Sequence, residues 1–418
     1  MNLDGKRLLI CEEALTGYMA HFYSWIKSIR KLNMDVGVEV EIAANKEVEE
    51  SIAAEFSAHR TYSVDNWTGV YNFDQAWRRY LSVFQHNRLV YRETKALFEQ
   101  TKPVDCILLP AARIHHLIAW RFLCRKYLGK HFKRIVIFIL TSEAVYNEDH
   151  SSYSFKKSAS LMRKVLRSFR KYVDKGEVLF AGDSHITCKE YETLSGIPFT
   201  VFPSPGAALA KPPENVHSED NNISKGPVFT ILGKSVYDKG IDLWQEAVIR
   251  YLNAYPEGNA HFVIQWGAET ISYDGRLIPI REELRNSTRV TLLERSLTDE
   301  EYSSYFQKAD FLSLPYRRKM YFNQISGVLI EAACSGIPMI VTENTWLSWA
   351  MEEYGAGVTV IHDDAEDLYK KLLYCIENWS ELARAAQMKK DVALAKNSTE
   401  RYLQCVWNEG INEAEKRV

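Results

Sequence analysis

Two lysines in the second half of the chain stand in one predicted turn, where two cations could neutralise a diphosphate. In the stretch ILGKSVYDKGIDLW, Lys234 and Lys239 follow an apolar run that begins at Val228, and Gly233 stands beside the first lysine. A lysine next to a departing phosphate stabilises the negative charge that develops in the transition state. Two lysines in a loop can also be simply solvated, so a second feature must decide between these interpretations.

That feature is the stretch SGVLIEAACSGIPMIV, in which Ser326, Gly327 and Val328 precede a carboxylate, Glu331, within an apolar run. The Ser-Gly step predicts a helix start at the carboxyl edge of a sheet, where backbone N–H groups and the helix dipole favour a phosphate. A buried unpaired carboxylate is costly, so Glu331 should face a partner or a ligand, unless it lies on the open side of an amphipathic helix. Its position in the helix allows it to reach a ribose hydroxyl of the same nucleotide.

The elements that must position these residues form a regular series. Short β-rich apolar runs alternate with helical-period segments, which predicts an α/β protein of two Rossmann-like domains in tandem, each with a parallel sheet. The predicted strands are RLLIC from Arg7, GVEVEIAA from Gly37, DCILLP from Asp105, RIVIFIL from Arg134, EVLFAGD from Glu177, FTVFP from Phe199, VFTILG from Val228, HFVIQWG from His261, RVTLLE from Arg289, FLSLPY from Phe311, PMIVTE from Pro338 and GVTVIH from Gly357.

A stretch rich in Pro, Asn and Ser, with little apolar periodicity, predicts the connection between the two domains. We expect an N-terminal domain over residues 1–206, a linker over 207–227 and a C-terminal domain over 228–395. The pattern from Glu366 onward is continuously helical, and we expect residues 396–418 to form a helix that packs back on the N-terminal domain.

Composition excludes several classes of protein. The 52 basic and 54 acidic side chains nearly balance, which gives no global field of the kind that nucleic-acid binders show. The seven cysteines are scattered and lack C-x-x-C spacing, which argues against a disulfide framework or a zinc site and favours a reducing compartment. Without a signal segment or an apolar run approaching the ~20 residues of a membrane span, we expect a cytoplasmic protein that is soluble or at most peripheral at the inner face of a membrane.

Several motifs in order carry a family resemblance. The G-K and K-G-I-D steps after a strand, then LTDEEYSSYFQKADFLSLPY, then SGVLIEAACSGIPMIVT and a later GAGV resemble the retaining GT-B glycosyltransferases of family four. The resemblance spans nearly the whole C-terminal domain and is looser in the N-terminal half. It implies two Rossmann-like domains that face each other across a cleft, with C-terminal helices crossing back.

The resemblance also implies an activity and roles for the candidate residues. The protein would transfer a sugar from a nucleotide-diphosphate sugar to a hydroxyl of a glycan, a glycolipid or another acceptor, with retention at the anomeric carbon. Glu331 would contact the ribose, Lys234 and Lys239 the diphosphate, and the Ser326-Gly327 amides the distal phosphate. The acceptor would bind the N-terminal domain, where Gly17 and His21 line the cleft.

Two positions depart from the family pattern. Asn323 stands eight residues before Glu331, where the family has a glutamate that contacts the donor sugar, so Asn323 is a candidate catalytic residue that brings no negative charge. Leu140, followed by Thr141, Ser142 and Glu143, occupies the position of the family's histidine. His21 is then the candidate catalytic histidine, and His115 and His116 are nearby alternatives that could equally be core or surface residues.

Two further segments predict partners. Residues 154–176 form a basic amphipathic pattern, which predicts either a helix that attracts an anionic membrane surface or an ordinary helix with a solvated basic face. The segment from Tyr71 predicts a long helix with Trp77, Tyr80, Phe84 and Val90 toward the core, and an acceptor role is an alternative.

The sequence contains no D-x-D triplet, so we expect turnover without a metal or a cofactor other than the donor. Two other functions stay open. One is a nucleotide-sugar epimerase or hydrolase on the same fold, and the other is a non-catalytic member that binds a nucleotide sugar or a protein partner.

Overall fold

The computed structural model describes residues 3–18, 21–65, 67, 73–204, 226–267 and 269–407. Most of the predicted linker over 207–227 lies outside the described residues, as do residues 408–418. The described chain divides into two compact units. The C-terminal unit ends at Ser398, and the chain from Thr399 onward belongs to the N-terminal unit again.

The N-terminal unit contains a seven-stranded parallel sheet with the order β3-β2-β1-β4-β5-β8-β9. All six strands predicted for this half are present, and the edge strand β3 is an addition. An antiparallel hairpin, β6–β7, stands apart from the sheet. The strands are β1 (Arg7–Cys11), β2 (Glu39–Asn45), β3 (His59–Tyr62), β4 (Val104–Leu109), β5 (Phe132–Phe138), β6 (Ala144–Tyr146), β7 (Tyr153–Phe155), β8 (Val178–Gly182) and β9 (Phe199–Val201).

Helices cover both faces of this sheet because its strands alternate apolar side chains toward two separate cores. The described helices of this unit are α1 (His21–Met34), α2 (Glu50–Phe56), α3 (Ala76–Phe98), α4 (Ile114–Tyr127), α5 (Ala159–Ser168), α6 (Arg170–Val173), α7 (His185–Ser195) and, after the C-terminal unit, α16 (Thr399–Trp407). Leu9 points into the core formed with α3 to α7, whereas Leu8 and Ile10 point into the core formed with α1, α2 and α16.

The C-terminal unit repeats this architecture with a six-stranded parallel sheet in the order β14-β11-β10-β15-β16-β17. Its strands are β10 (Val228–Ile231), β11 (His261–Gln265), β14 (Val290–Leu293), β15 (Phe311–Leu314), β16 (Met339–Thr342) and β17 (Gly357–Val360), with a hairpin of β12 (Thr270–Ile271) and β13 (Leu277–Ile278). Its helices are α8 (Ile241–Ala254), α9 (Glu282–Arg285), α10 (Asp299–Gln307), α11 (Arg318–Tyr321), α12 (Gly327–Ser335), α13 (Trp346–Tyr354), α14 (Ala365–Glu377) and α15 (Trp379–Lys396). The first strand of each unit in chain order, β1 or β10, is an inner strand of its sheet. Open α/β sheets bind ligands at the carboxyl ends of such strands.

Three predictions about helices are wrong in detail, and the first concerns α3. On α3, Val90 is buried as predicted, but Trp77, Tyr80 and Phe84 are exposed. The helix has two apolar stripes at the same spacing, and the stripe that includes Val83, His86 and Val90 is the buried one.

In the basic segment, Tyr153–Phe155 forms a strand rather than a helix, and the helical part is split into α5 and α6. The tail from Glu366 is three helices with breaks at Asn378 and Asn397, not one continuous helix. Among the described helices, none has the length and apolar character to cross a bilayer. All seven cysteines are described, buried and free.

Candidate functional site

The loop after β10 holds both predicted lysines in a fixed turn. Gly233 has a φ of +96° and donates its N–H to Gln265 Oε1 at 2.7 Å. Gly240 ends a short 3₁₀ turn over Tyr237–Lys239 with a φ of +63°, and a Cβ at this position would lie 2.0 Å from the Pro315 carbonyl oxygen. Only glycine fits there, so Gly240, which follows Lys239, allows this loop to lie against the residues at the end of β15.

Lys239 is a partly buried cation without a carboxylate partner in the described residues. Its Nζ lies 5.5 Å from the centroid of the Tyr316 ring, and a Cβ at Gly233 would lie 2.6 Å from that Nζ. Burial lowers the pKa of the Lys239 ammonium to about 8. A desolvated ammonium that lacks a counterion gains from binding an anion, so this position suits a diphosphate. Lys234, by contrast, is exposed on the same loop.

Arg317 holds this loop in place and was missed by the sequence analysis. Its side chain is buried, and its two terminal nitrogens donate to Asp242 Oδ1 and Oδ2, each at 2.8 Å. The guanidinium also donates to the Tyr237 carbonyl oxygen and lies 2.7 Å from Asp363 Oδ1. Arg317 therefore connects the end of β15 with the turn that carries Lys239. The only signal in the sequence is an arginine directly after FLSLPY.

The predicted Ser-Gly helix start is confirmed as the first turn of α12. Ser326 caps the helix, and its Oγ accepts the N–H of Leu329 at 3.3 Å. Gly327 is exposed, and a Cβ there would meet no atom within 4 Å. The amides of Gly327 and Val328 make no hydrogen bond within the described chain, so the first turn is open to an anion.

Glu331 has a protein partner on one oxygen. The Tyr302 hydroxyl, on α10, donates to Glu331 Oε2 at 2.7 Å. Burial raises the pKa of Glu331, and the hydrogen bond from Tyr302 opposes that shift. Among the described residues nothing donates to Glu331 Oε1, which leaves one oxygen for a ligand hydroxyl. Tyr302 was not predicted, although it lies in the LTDEEY motif.

The two candidate catalytic residues lie in different units of the protein. Asn323 is half-buried between α11 and α12 in the C-terminal unit. His21 is the first residue of α1 in the N-terminal unit, and its side chain lies outside the described part of the chain. Gly17 lies in the loop after β1, where a Cβ would stand 2.6 Å from Glu49 Oε1, so a larger residue would displace that carboxylate.

A buried acidic and histidine cluster at the carboxyl end of β1 was also missed. Glu13 Oε2 lies 2.7 Å from His86 Nε2, and Glu13 Oε1 lies 2.8 Å from His116 Nε2. Burial alone would raise the pKa of Glu13, but the two histidines lower it to about 2. Burial raises the pKa of the adjacent Glu12 to about 8, so neighbouring carboxylates differ in charge at neutral pH.

Two histidines and a glutamate are also a ligand set that zinc uses. The separations in this cluster are those of hydrogen bonds and are shorter than the roughly 3.3 Å expected between ligands of tetrahedral zinc. His116 is thus a buried member of an ion-paired cluster, and His115 beside it is half-buried.

Comparisons with known proteins concern the fold and the family of the chain. Residues 226–378, most of the C-terminal unit, match the family described as "Glycosyl transferases group 1". The chain is similar in structure to sucrose-phosphate synthase from Thermosynechococcus elongatus, with a TM-score of 0.59, 14% identity, and coverage of 96% of this chain and 97% of that chain. It is also similar to the Candida albicans trehalose-6-phosphate phosphatase N-terminal domain, with a TM-score of 0.61, 12% identity and 98% coverage of both chains.

A third similar structure is that of HepE from Anabaena in complex with UDP and glucose, with a TM-score of 0.57, 12% identity, and coverage of 96% of this chain and 98% of that chain. None of the curated proteins compared matches the sequence. The chain has the GT-B fold of two parallel-sheet α/β domains with C-terminal helices, and the resemblance to GT-B glycosyltransferases is confirmed. Together, the family match and the fold indicate a glycosyltransferase. Assignment to family four stays a prediction.

Proposed function

We propose that the protein transfers a sugar from a nucleotide-diphosphate sugar to a hydroxyl acceptor with retention at the anomeric carbon and without a metal ion. The observation that carries this proposal is Lys239, a desolvated cation beside Gly233 without a counterion in the described residues. The UDP and UDP-glucose bound to HepE support a nucleotide sugar as the donor.

In this proposal, Lys239 and Lys234 neutralise the diphosphate, and the amides at the start of α12, those of Ser326, Gly327 and Val328, bind its distal phosphate. Glu331 accepts a hydrogen bond from a ribose hydroxyl through Oε1, while Tyr302 holds Oε2. Asn323 hydrogen-bonds the donor sugar. All of these residues lie in the C-terminal unit.

The acceptor binds the N-terminal unit, and Gly17 and His21 lie in its binding region. In a retaining reaction of this type, the acceptor hydroxyl attacks the face from which the diphosphate departs, and a leaving phosphate oxygen takes its proton. A protein base is then dispensable, which is consistent with Leu140 at the family's histidine position. The acceptor is a glycan or a lipid-linked molecule, and the exposed basic face of α5 and α6 supports contact with an anionic membrane.

The test is calorimetric binding of uridine, guanosine and adenosine diphosphates and their sugars to the wild type, Lys239→Ala and Glu331→Ala. The exposed Lys308→Ala serves as the matched control. We expect base-selective binding that both site variants weaken and the control keeps. Failure of the wild type to bind any of these ligands would refute the donor site, and binding without transfer to any acceptor would favour the non-catalytic alternative that Asn323 and Leu140 suggest.

A further inference from the structure

The outer surface of α3 and α4 combines exposed aromatic side chains with a groove. Trp77 is 62% exposed, Phe84 is 53% exposed and, on α4, Phe122 is 55% exposed. Between the helices lies an open cavity of about 740 Å³, within the size range of ligand-binding clefts. We call the row of Trp77, Tyr80, Leu81 and Phe84 together with this cavity the α3–α4 face.

The packing of the fold does not account for this surface. α3 contributes to the core through a different stripe, which includes Val90 and Leu97. The exposed row is therefore a second apolar stripe on a helix whose core contacts are already made. Soluble proteins rarely expose contiguous large apolar side chains unless that surface binds something.

The charged side chains that line the cavity are all basic. Arg88, Arg125, Lys126 and Lys130 line the cavity, and none of them forms a salt bridge with a described residue. α4 contains no acidic residue. The single acidic residue of α3, Glu93, is buried, and its Oε1 lies 3.2 Å from Lys46 Nζ. The partner of this face must therefore be apolar in part and anionic in part.

The cationic surface extends beyond the cavity. Arg121 on α4 donates through Nε to the Ser168 carbonyl oxygen at 2.8 Å and lies 5.0 Å from the Tyr172 ring centroid. This contact joins α4 to α5 and α6, whose basic side chains, including Arg163 and Lys164, are exposed. Such an extended surface fits a large anionic partner better than a small soluble anion.

We propose that the α3–α4 face docks on a lipid bilayer that contains anionic headgroups. The aromatic row from Trp77 to Phe84 enters the headgroup region, where tryptophan and tyrosine are favoured because their rings have both apolar and polar parts. The cations that line the cavity lie against the anionic headgroups, and the basic face of α5 and α6 adds long-range attraction. The α3–α4 face, rather than the basic segment alone, is the part that penetrates the bilayer.

The test is sedimentation of the full chain with vesicles of phosphatidylcholine alone and of phosphatidylcholine mixed with phosphatidylglycerol. The test variant is Trp77→Ser/Phe84→Ser, and the matched control is Tyr374→Ser/Met388→Ser, which removes two exposed apolar side chains from the C-terminal unit. We expect the wild type and the control to bind the anionic vesicles and the test variant to bind at least about tenfold more weakly. Arg88→Gln/Lys126→Gln should weaken binding about fivefold for each cation removed.

Three results would overturn the proposal: no binding of the wild type to anionic vesicles, equal binding by Trp77→Ser/Phe84→Ser, or capture of a soluble acidic polypeptide in place of vesicles. The last result would assign the face to an acidic protein partner. Vesicle binding is measured without donor or acceptor, so its failure is distinct from a failure of the proposed transfer reaction. Nucleoside diphosphate binding by the same variants checks that the C-terminal unit is intact.

Discussion

Arg317 and Asp242 form a bidentate ion pair with two N–O distances of 2.8 Å. The pair joins the loop after β15 to the first turn of α8, which directly follows the turn that carries Lys239. The position of Lys239, the lysine proposed to bind the diphosphate, therefore depends on a salt bridge between residues 75 positions apart.

Arg317→Met should destabilise the C-terminal unit by about 3–5 kcal/mol, because Asp242 would keep a partly buried charge without its partner. Nucleoside diphosphate binding should weaken as well, since the turn before Gly240 would lose its anchor. Urea unfolding and calorimetry check both effects. Arg317→Met/Asp242→Asn should recover part of the stability, and a double variant no more stable than Arg317→Met would contradict this account.

Gly240→Ala tests the close approach of the lysine loop to Pro315. The new Cβ would lie 2.0 Å from a backbone oxygen, and the residue would also have to adopt a left-handed conformation. We therefore expect the free energy of unfolding to fall by more than about 2 kcal/mol and donor binding to weaken. Gly275→Ala is the control, because Gly275 has a φ of +83° but no atom within 4 Å of the added Cβ. Similar losses in thermal unfolding for the two variants would show that φ strain alone, and not the contact with Pro315, decides the effect.

Donor binding should depend on the protonation of Lys239. Because burial lowers the pKa of Lys239 to about 8, the free protein loses this ammonium near pH 8, well below the ordinary 10.5. Diphosphate affinity should be steady below about pH 8 and fall up to ~tenfold per pH unit above it, since the bound anion requires the charged form. Calorimetry across this range measures the slope, and Lys239→Ala should bind weakly with a flatter profile. A wild-type affinity that is constant up to about pH 10 would contradict the assignment.

The Tyr302–Glu331 hydrogen bond should matter for ribose recognition. Tyr302→Phe removes the donor to Oε2, and we expect nucleoside diphosphate affinity to fall about fivefold, against roughly tenfold or more for Glu331→Ala. A 2′,3′-dideoxynucleoside diphosphate gives the sharper measurement. The wild type should bind it more weakly than the ordinary nucleoside diphosphate, whereas Glu331→Ala should bind the two equally. Tyr305→Phe, on the same helix, is the control.

Glu13 should contribute stability that depends on pH. Its pKa falls from 4.5 to about 2 in the folded protein, so its contribution is present above about pH 4.5 and is lost as the pH falls toward 2. Glu13→Gln should therefore be much less stable than the wild type near pH 5, and the difference should shrink in acid. Urea midpoints at several pH values measure this, with the exposed Glu47→Gln as the control. A difference that does not change with pH would show that the effect is one of packing.

Much of the fold could be predicted from the sequence because parallel strands covered on both faces are short, nearly continuous apolar runs. All twelve predicted strands are present, and the added β3 is HRTY, too polar to stand out. The exposed row of α3 was misassigned because two apolar stripes share one helix, and periodicity cannot tell which of them meets the sheet.

The candidate site was predicted only where neighbouring residues define it. Ser326 and Gly327 form a helix start that local sequence determines, whereas Arg317 and Tyr302 act on residues 75 and 29 positions away. The Glu13 cluster likewise joins three separate elements, and neither spacing nor composition brings His86 beside β1.

The assignment of α16 to the N-terminal unit has a consequence for synthesis on the ribosome. Tyr402, Cys405 and Val406 are buried in the core beside α1 and α2, and the Trp407 indole donates to Asn33 at 2.9 Å. That face of the first sheet stays incomplete while the whole C-terminal unit is being translated. The nascent chain must keep this apolar surface from aggregating until α16 emerges, and premature termination before Thr399 would harm the domain that was made first.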